Sequence, residues 1–64
     1  MENFIPIYDK PGEPTVFLCP DSIVEGTDEE INAAGPGLAA GVIITTAGYS
    51  TMKQKGLDGS WVSL

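Results

Sequence analysis

The sequence has no histidine and no arginine, a single cysteine (Cys19), and only three lysines against nine acidic residues. Each shortage excludes a class of chemistry. Without histidine, Ser-His-Asp and Cys-His catalytic arrangements cannot be built. A structural zinc wants about four Cys or His ligands, and the chain supplies one. One cysteine cannot close a disulfide within the chain, and it fits a reducing cytoplasm. The net charge of −6 argues against nucleic-acid binding, which needs clustered Lys or Arg to neutralise phosphates. It argues equally against an anionic membrane surface. No run approaches the roughly 18 apolar residues of a membrane span. The opening MENFIPIYDK has neither the basic start nor the long apolar stretch of a signal peptide.

What remains is one small domain. A chain of 64 residues buries only about 60% of its unfolded surface. Small scaffolds therefore lean on disulfides, metals or a partner subunit. With the first two removed, oligomerisation or docking on something larger is the expected source of extra stability. Disorder is not expected, because 42% of the residues are hydrophobic and β-branched runs are present.

The N-terminal part reads as extended. Residues 3–8, NFIPIY, suggest a short strand, and Pro6 places it at a sheet edge because proline cannot donate to a ladder. Pro11-Gly12 meets the requirement of a type II turn. Residues 15–19, TVFLC, are a second strand. Pro20-Asp21 breaks it, and SIVE is expected to resume extended structure. The one helical signal is GTDEEINAAGPG. Thr27 and Glu30 have capping-box spacing, and Asp28, Glu29 and Glu30 suit the positive end of the helix dipole. Gly35-Pro36-Gly37 ends the helix, which leaves a short helix over 28–34. Residues 35–41 form a Gly/Pro/Ala connector. GVIITT, 41–46, has the strongest strand composition; Gly48 offers a turn, and 50–55 resume as a strand.

The closing segment KQKGLDGSWVSL predicts a hairpin, with two possible loops. A two-residue Asp58-Gly59 turn would pair Lys55 with Val62. A three-residue loop, Leu57-Asp58-Gly59 with Gly59 left-handed, would pair Lys55 with Trp61, Gln54 with Val62, Lys53 with Ser63 and Met52 with Leu64. The second is preferred, since a one-residue slip flips every side chain and only this register gives a mostly apolar face of Met52, Gln54, Val62 and Leu64. Trp61 then lies on the opposite face beside Lys55, in cation–π range. Three readings of Trp61 stay open: a core residue covered by the N-terminal half, an interface anchor, or a stacking platform for a small molecule.

Chemistry-bearing motifs are few. Cys19 sits in an apolar run with no cationic neighbour and reads as a buried structural thiol. AGPGLAAG, 34–41, matches neither glycine-rich phosphate-loop pattern and reads as a plain connector. The acids at 21, 25, 28, 29 and 30 lack the calcium-loop pattern. The expectation is a non-enzyme with no catalytic residue, no cofactor and no metal site.

The stretch YSTMKQKGLDGSWVSL resembles the ends of short bacteriophage structural proteins, which run through a polar strand to Asp-Gly-x-Trp and a terminal apolar pair. The residues carrying the likeness are Tyr49, Met52, Gln54, Gly56, Asp58, Gly59, Trp61 and Val62. The resemblance implies a virion accessory protein: a capsid-decoration, head-fibre-base or tail-associated module, present in many copies.

Together these readings predict a mainly β domain: a small antiparallel sheet or open barrel of four to five short strands, with one short helix near 28–34. The core is expected to form through Val16, Leu18, Ile43, Met52, Val62 and Leu64. The leading function is non-enzymatic assembly, binding copies of itself and a larger scaffold such as a capsid or tail protein. A homo-oligomer is expected, a trimer by preference, located in a virion if phage-derived and otherwise in the cytoplasm. No nucleic-acid or membrane partner is expected. VIITT carries no charge and reads as an unguarded strand, so residues 42–46 or 60–64 should meet a second chain. The interface candidates are Ile43, Ile44, Tyr49, Trp61, Val62 and Leu64. Two alternatives are an acidic inhibitor of a basic site on a host protein and a small-ligand module built on Trp61 and Tyr49.

Overall fold

The computed structural model describes residues 2–64. Over them the chain forms strands β1 (Ile5–Tyr8), β2 (Val16–Leu18), β3 (Ile43–Thr45), β4 (Met52–Lys55) and β5 (Trp61–Ser63), with helices α1 (Asp21–Val24) and α2 (Asp28–Ala34) between β2 and β3. The five strands make one open sheet in the order β1-β2-β3-β4-β5. The mainly β class and the strand number are as the sequence predicts.

Local signals account for most of the elements. Between β1 and β2, the Glu13 amide donates to the Lys10 carbonyl at 3.1 Å. Gly12 takes φ +82° there, as the third residue of a type II turn requires. Helix α2 begins at a complete capping box: the Glu30 amide donates to Thr27 Oγ1 at 3.2 Å, and the Thr27 amide donates to Glu30 Oε1 at 2.9 Å. In the closing hairpin, Lys53 pairs with Ser63, Gln54 with Val62 and Lys55 with Trp61. That is the three-residue-loop register, with Gly59 at φ +85°.

Three features depart from the sequence reading. SIVE is not extended: Asp21–Val24 is a single helical turn that starts after Pro20, where proline is tolerated because its missing N–H is needed by no partner. Strands β2 and β3 are parallel, in the register Val16–Ile43, Phe17–Ile44 and Leu18–Thr45. A parallel pair needs a crossover of a dozen or more residues, and the segment carrying α1 and α2 supplies it. VIITT is consequently the centre of the sheet rather than an edge; β1, with Pro6, and β5 are the edges.

The largest correction concerns which face of the sheet is covered. The core consists of Phe4, Cys19, Val24, Ile31, Ile44 and Trp61, with Phe17, Ile23, Leu38 and Val42 packed against it. Phe4 and Phe17 meet edge to face at 6.1 Å. Both helices lie on this side. Val16, Leu18, Ile43, Met52, Val62 and Leu64, expected in the core, lie on the opposite face, and Val62 and Leu64 are well exposed. The reason is chemical. The Trp61 Nε1–H donates to Asn32 Oδ1 of α2 at 2.9 Å, and Asn32 Nδ2 donates to the Gly59 carbonyl at 2.9 Å. Lys53 and Lys55 share this face. Their ammonium groups reach the carbonyls of Gly26, at 3.2 Å, and Leu38, at 2.7 Å, so their stems pack while their charges are solvated by backbone. Lys55 therefore bonds to a carbonyl instead of resting over the indole.

Two substitutions test this arrangement. Asn32→Ala strands the buried indole N–H and frees the hairpin tip; it should cost about 2–3 kcal/mol, more than one hydrogen bond, because a donor is left unsatisfied. Chemical denaturation reads the loss directly. Gly59→Val should cost about 1–2 kcal/mol by forcing a branched residue into left-handed backbone; an unchanged midpoint would contradict the loop geometry.

Candidate interaction face

Among the described residues, no helix or strand forms a second layer over the sheet surface away from the helices. The strand registers define its membership. Ile5 lies beside Leu18, Tyr8 beside Val16, Val16 beside Ile43, Ile43 beside Gln54, and Gln54 beside Val62. A bulge between Pro6 and Tyr8 breaks the alternation of β1, so Ile7 and Tyr8 both line a shallow depression of about 380 Å³ with Val16, Tyr49 and Met52. Ile5, Ile7, Tyr8, Tyr49, Val62 and Leu64 are exposed, at 54, 41, 38, 63, 59 and 66%. None of the residues on this surface is charged. Thr45, flanked in register by Leu18 and Met52, is fully buried and donates its hydroxyl to the Thr46 carbonyl at 3.1 Å.

Tyr49 reaches this surface at a backbone cost. It has φ +60° and follows Gly48 at φ +81° in the turn between β3 and β4. Such a conformation costs a non-glycine residue about 1–2 kcal/mol. The turn is held by a buried residue, Thr46. Thr46 Oγ1 accepts the Thr51 amide at 3.2 Å and contacts Ser50 Oγ at 3.0 Å, while the Thr46 carbonyl accepts the Tyr49 amide at 3.0 Å. The strain is thus imposed by a turn that leaves an aromatic ring in solvent beside an apolar depression.

The rim is polar. Tyr8 donates its hydroxyl to Glu13 Oε1 at 2.8 Å, and this bond raises the phenol pKa above its ordinary value. The Lys10 ammonium lies 5.6 Å from the Tyr8 ring centroid. At the other end, Glu2, Asn3 and Asp21 border a second depression with Ile5, Leu18 and Cys19. Cys19 is 4% exposed, and burial raises its thiol pKa to about 11. Both effects favour the neutral thiol. Among the described residues no three His, Cys, Asp or Glu side chains converge as a metal site would require, and no helix is long and apolar enough to cross a membrane.

The six candidates from the sequence divide between the two faces. Tyr49, Val62 and Leu64 are exposed and Ile43 half-buried on the open face. Ile44 and Trp61 are enclosed under the helices. Sequence reasoning missed Ile5, Ile7 and Tyr8. Their signal was available: β1 has apolar residues on both sides of Pro6 in a strand placed at an edge.

Two outcomes are expected from this geometry. Tyr49→Gly removes the strain and should leave the isolated fold unchanged or stabilised by up to about 1 kcal/mol, whereas an unstrained Tyr49 would make the substitution destabilising. Because the Cys19 pKa is raised in the fold, the neutral thiol is favoured there. The stability this confers is complete below the unfolded thiol pKa, about 8.5, and is lost as pH rises through the folded value of about 11. A Cys19→Ala variant should show a shallower alkaline fall in melting temperature than wild type.

Comparison with protein-family models, with curated proteins and with solved structures yields no match to this chain, and the face is interpreted from its own geometry.

Proposed function

We propose that this chain is a non-enzymatic structural module that acts by surface association: a virion accessory protein that binds copies of itself and a larger protein scaffold. The observation that carries this reading is the uncharged apolar sheet face, left uncovered on a domain this small. Monomers rarely expose contiguous apolar patches beyond a few hundred Å², and larger ones mark interaction sites. The resemblance of the last third of the sequence to phage structural proteins supplies the setting, as a capsid-decoration, head-fibre-base or tail-associated part.

The acidic-inhibitor reading rests on a different surface. Asp21, Glu25, Asp28, Glu29 and Glu30 are all exposed on the helical segment. Glu30 is occupied by the capping box, which lowers its pKa. The proposed function makes this layer a solvated outer surface. Glu29→Gln should then change stability by no more than a few tenths of a kcal/mol and leave association intact. Loss of association at unchanged stability would favour the inhibitor.

The direct test is quantitative mass spectrometry of purified particles from a host that carries the gene. The chain should be present in multiple copies per particle. Its absence from particles, with free protein abundant in the lysate, would refute the assembly role.

A further inference from the structure

We infer that the open face is covered by a second copy of this chain, the two sheets packing face to face across a two-fold axis. The inference deepens the assembly reading and rests on it, by naming what occupies the face and with what symmetry.

Area is the first argument. Taking about 200 Å² for a whole large side chain, the six exposed apolar residues of the face leave on the order of 600 Å² in solvent. The half-buried Val16, Leu18, Ile43 and Met52 extend it toward the about 800 Å² per partner of a standard interface. An open sheet face of this kind packs well on another sheet, about 10 Å away with strands within about 30° of alignment.

Charge is the second argument. Copies carrying −6 each repel, so self-association needs a surface from which the charge is absent. The face supplies one. Glu25, Asp28, Glu29 and Glu30 belong to the helical layer on the far side of the sheet, Asp9 and Asp58 to turns beyond the strand ends, and Glu2, Glu13 and Asp21 to the rim, where Glu13 is engaged by the Tyr8 hydroxyl. An uncharged face offers no electrostatic feature that would demand a differently charged partner.

Symmetry is the third. Face-to-face packing uses the same patch on both copies, which is the isologous contact of a two-fold. It covers each face with one neighbour and leaves no equivalent face for a third copy. The product has four layers, helix-sheet-sheet-helix, with the acidic helices outermost. The expected trimer is replaced by a dimer on these grounds. The larger scaffold must then be met by the β1 and β5 edges, which the dimer leaves free.

The test is sedimentation equilibrium of the purified chain over roughly 1 to 300 µM, a range that spans weak to firm dimers. Wild type should have twice the 6.7 kDa chain mass over the upper part of that range. Val62→Lys with Leu64→Lys places two charges on exposed positions of the face, and should weaken the dimer about 100-fold or more. Trp61 fluorescence checks that the core on the other side is intact. A measurement without substitution runs beside it: peroxide oxidation of Met52 should slow as wild-type concentration rises through the dimerisation range. A trimer overturns the two-fold while keeping the assembly reading. A wild-type monomer throughout, a double variant that dimerises like wild type, or Met52 oxidation independent of concentration overturns the face-to-face dimer. If the chain is also absent from particles, the assembly reading falls separately.

Discussion

The contact on which the rest of this structure depends is the one between Trp61 and Asn32. It joins the last strand to the second helix across 29 residues of sequence. The same asparagine also holds the tip of the closing hairpin through the Gly59 carbonyl. An indole N–H buried without an acceptor would cost about 1–3 kcal/mol, so the ring can enter the core only where α2 brings Asn32. Once it does, alternation along β5 sends Val62 to the other side, and alternation along β4 sends Lys53 and Lys55 inward with Trp61. The loops after α1 and α2 then solvate both ammonium groups through the carbonyls of Gly26 and Leu38. One amide side chain thereby helps to decide which half of the sheet is core and which is left open.

This explains where sequence reasoning held and where it turned over. Turns, caps and registers are set by neighbours within a few residues, and those were legible: Pro11-Gly12, the Thr27–Glu30 box, the end of α2 and the loop at Gly59. The pattern of side chains gives the hairpin register, but it points to the opposite face from the one the helices cover. Counting apolar residues favours Met52, Val62 and Leu64 for the interior and lysine for solvent. That count omits the loop carbonyls that follow the short helices, which accept an ammonium group from a half-buried lysine. The parallel β2–β3 pair was missed for a related reason. By sequence Pro20 reads as a break in extended chain, whereas it starts a helical crossover. No local rule distinguishes these until the layer that covers the sheet is known.

The candidate site was half legible. Tyr49, Val62, Leu64 and Ile43 were singled out as uncharged residues of strong β or aromatic character, and they share the open face. Ile44 and Trp61 were singled out by the same criteria and lie beneath the helices. The difference between the two sets is parity along the strands, fixed by which face the helices choose. Tyr49 carries information that composition does not. A left-handed tyrosine after a left-handed glycine is a conformation that the fold must maintain against its own preference, and it leaves the ring exposed next to Met52 and Ile7 instead of in the core.

Segregation of charge connects the fold to its proposed use. The helical segment 21–34 carries five of the nine acids, while the strand residues of the open face carry none. Acids at the start of α2 stabilise the helix through its dipole and cap, so the helix layer is acidic for a local reason. Since that layer covers one side of the sheet, local helix stability also moves the molecule's repulsive charge away from the other side. A sheet of short strands with a single helical layer is a weak core by itself, and the face without charge is the face without a cover. Thus the capping chemistry that starts α2, the asparagine that fixes the covered side and the apolar surface that invites association are steps of one arrangement.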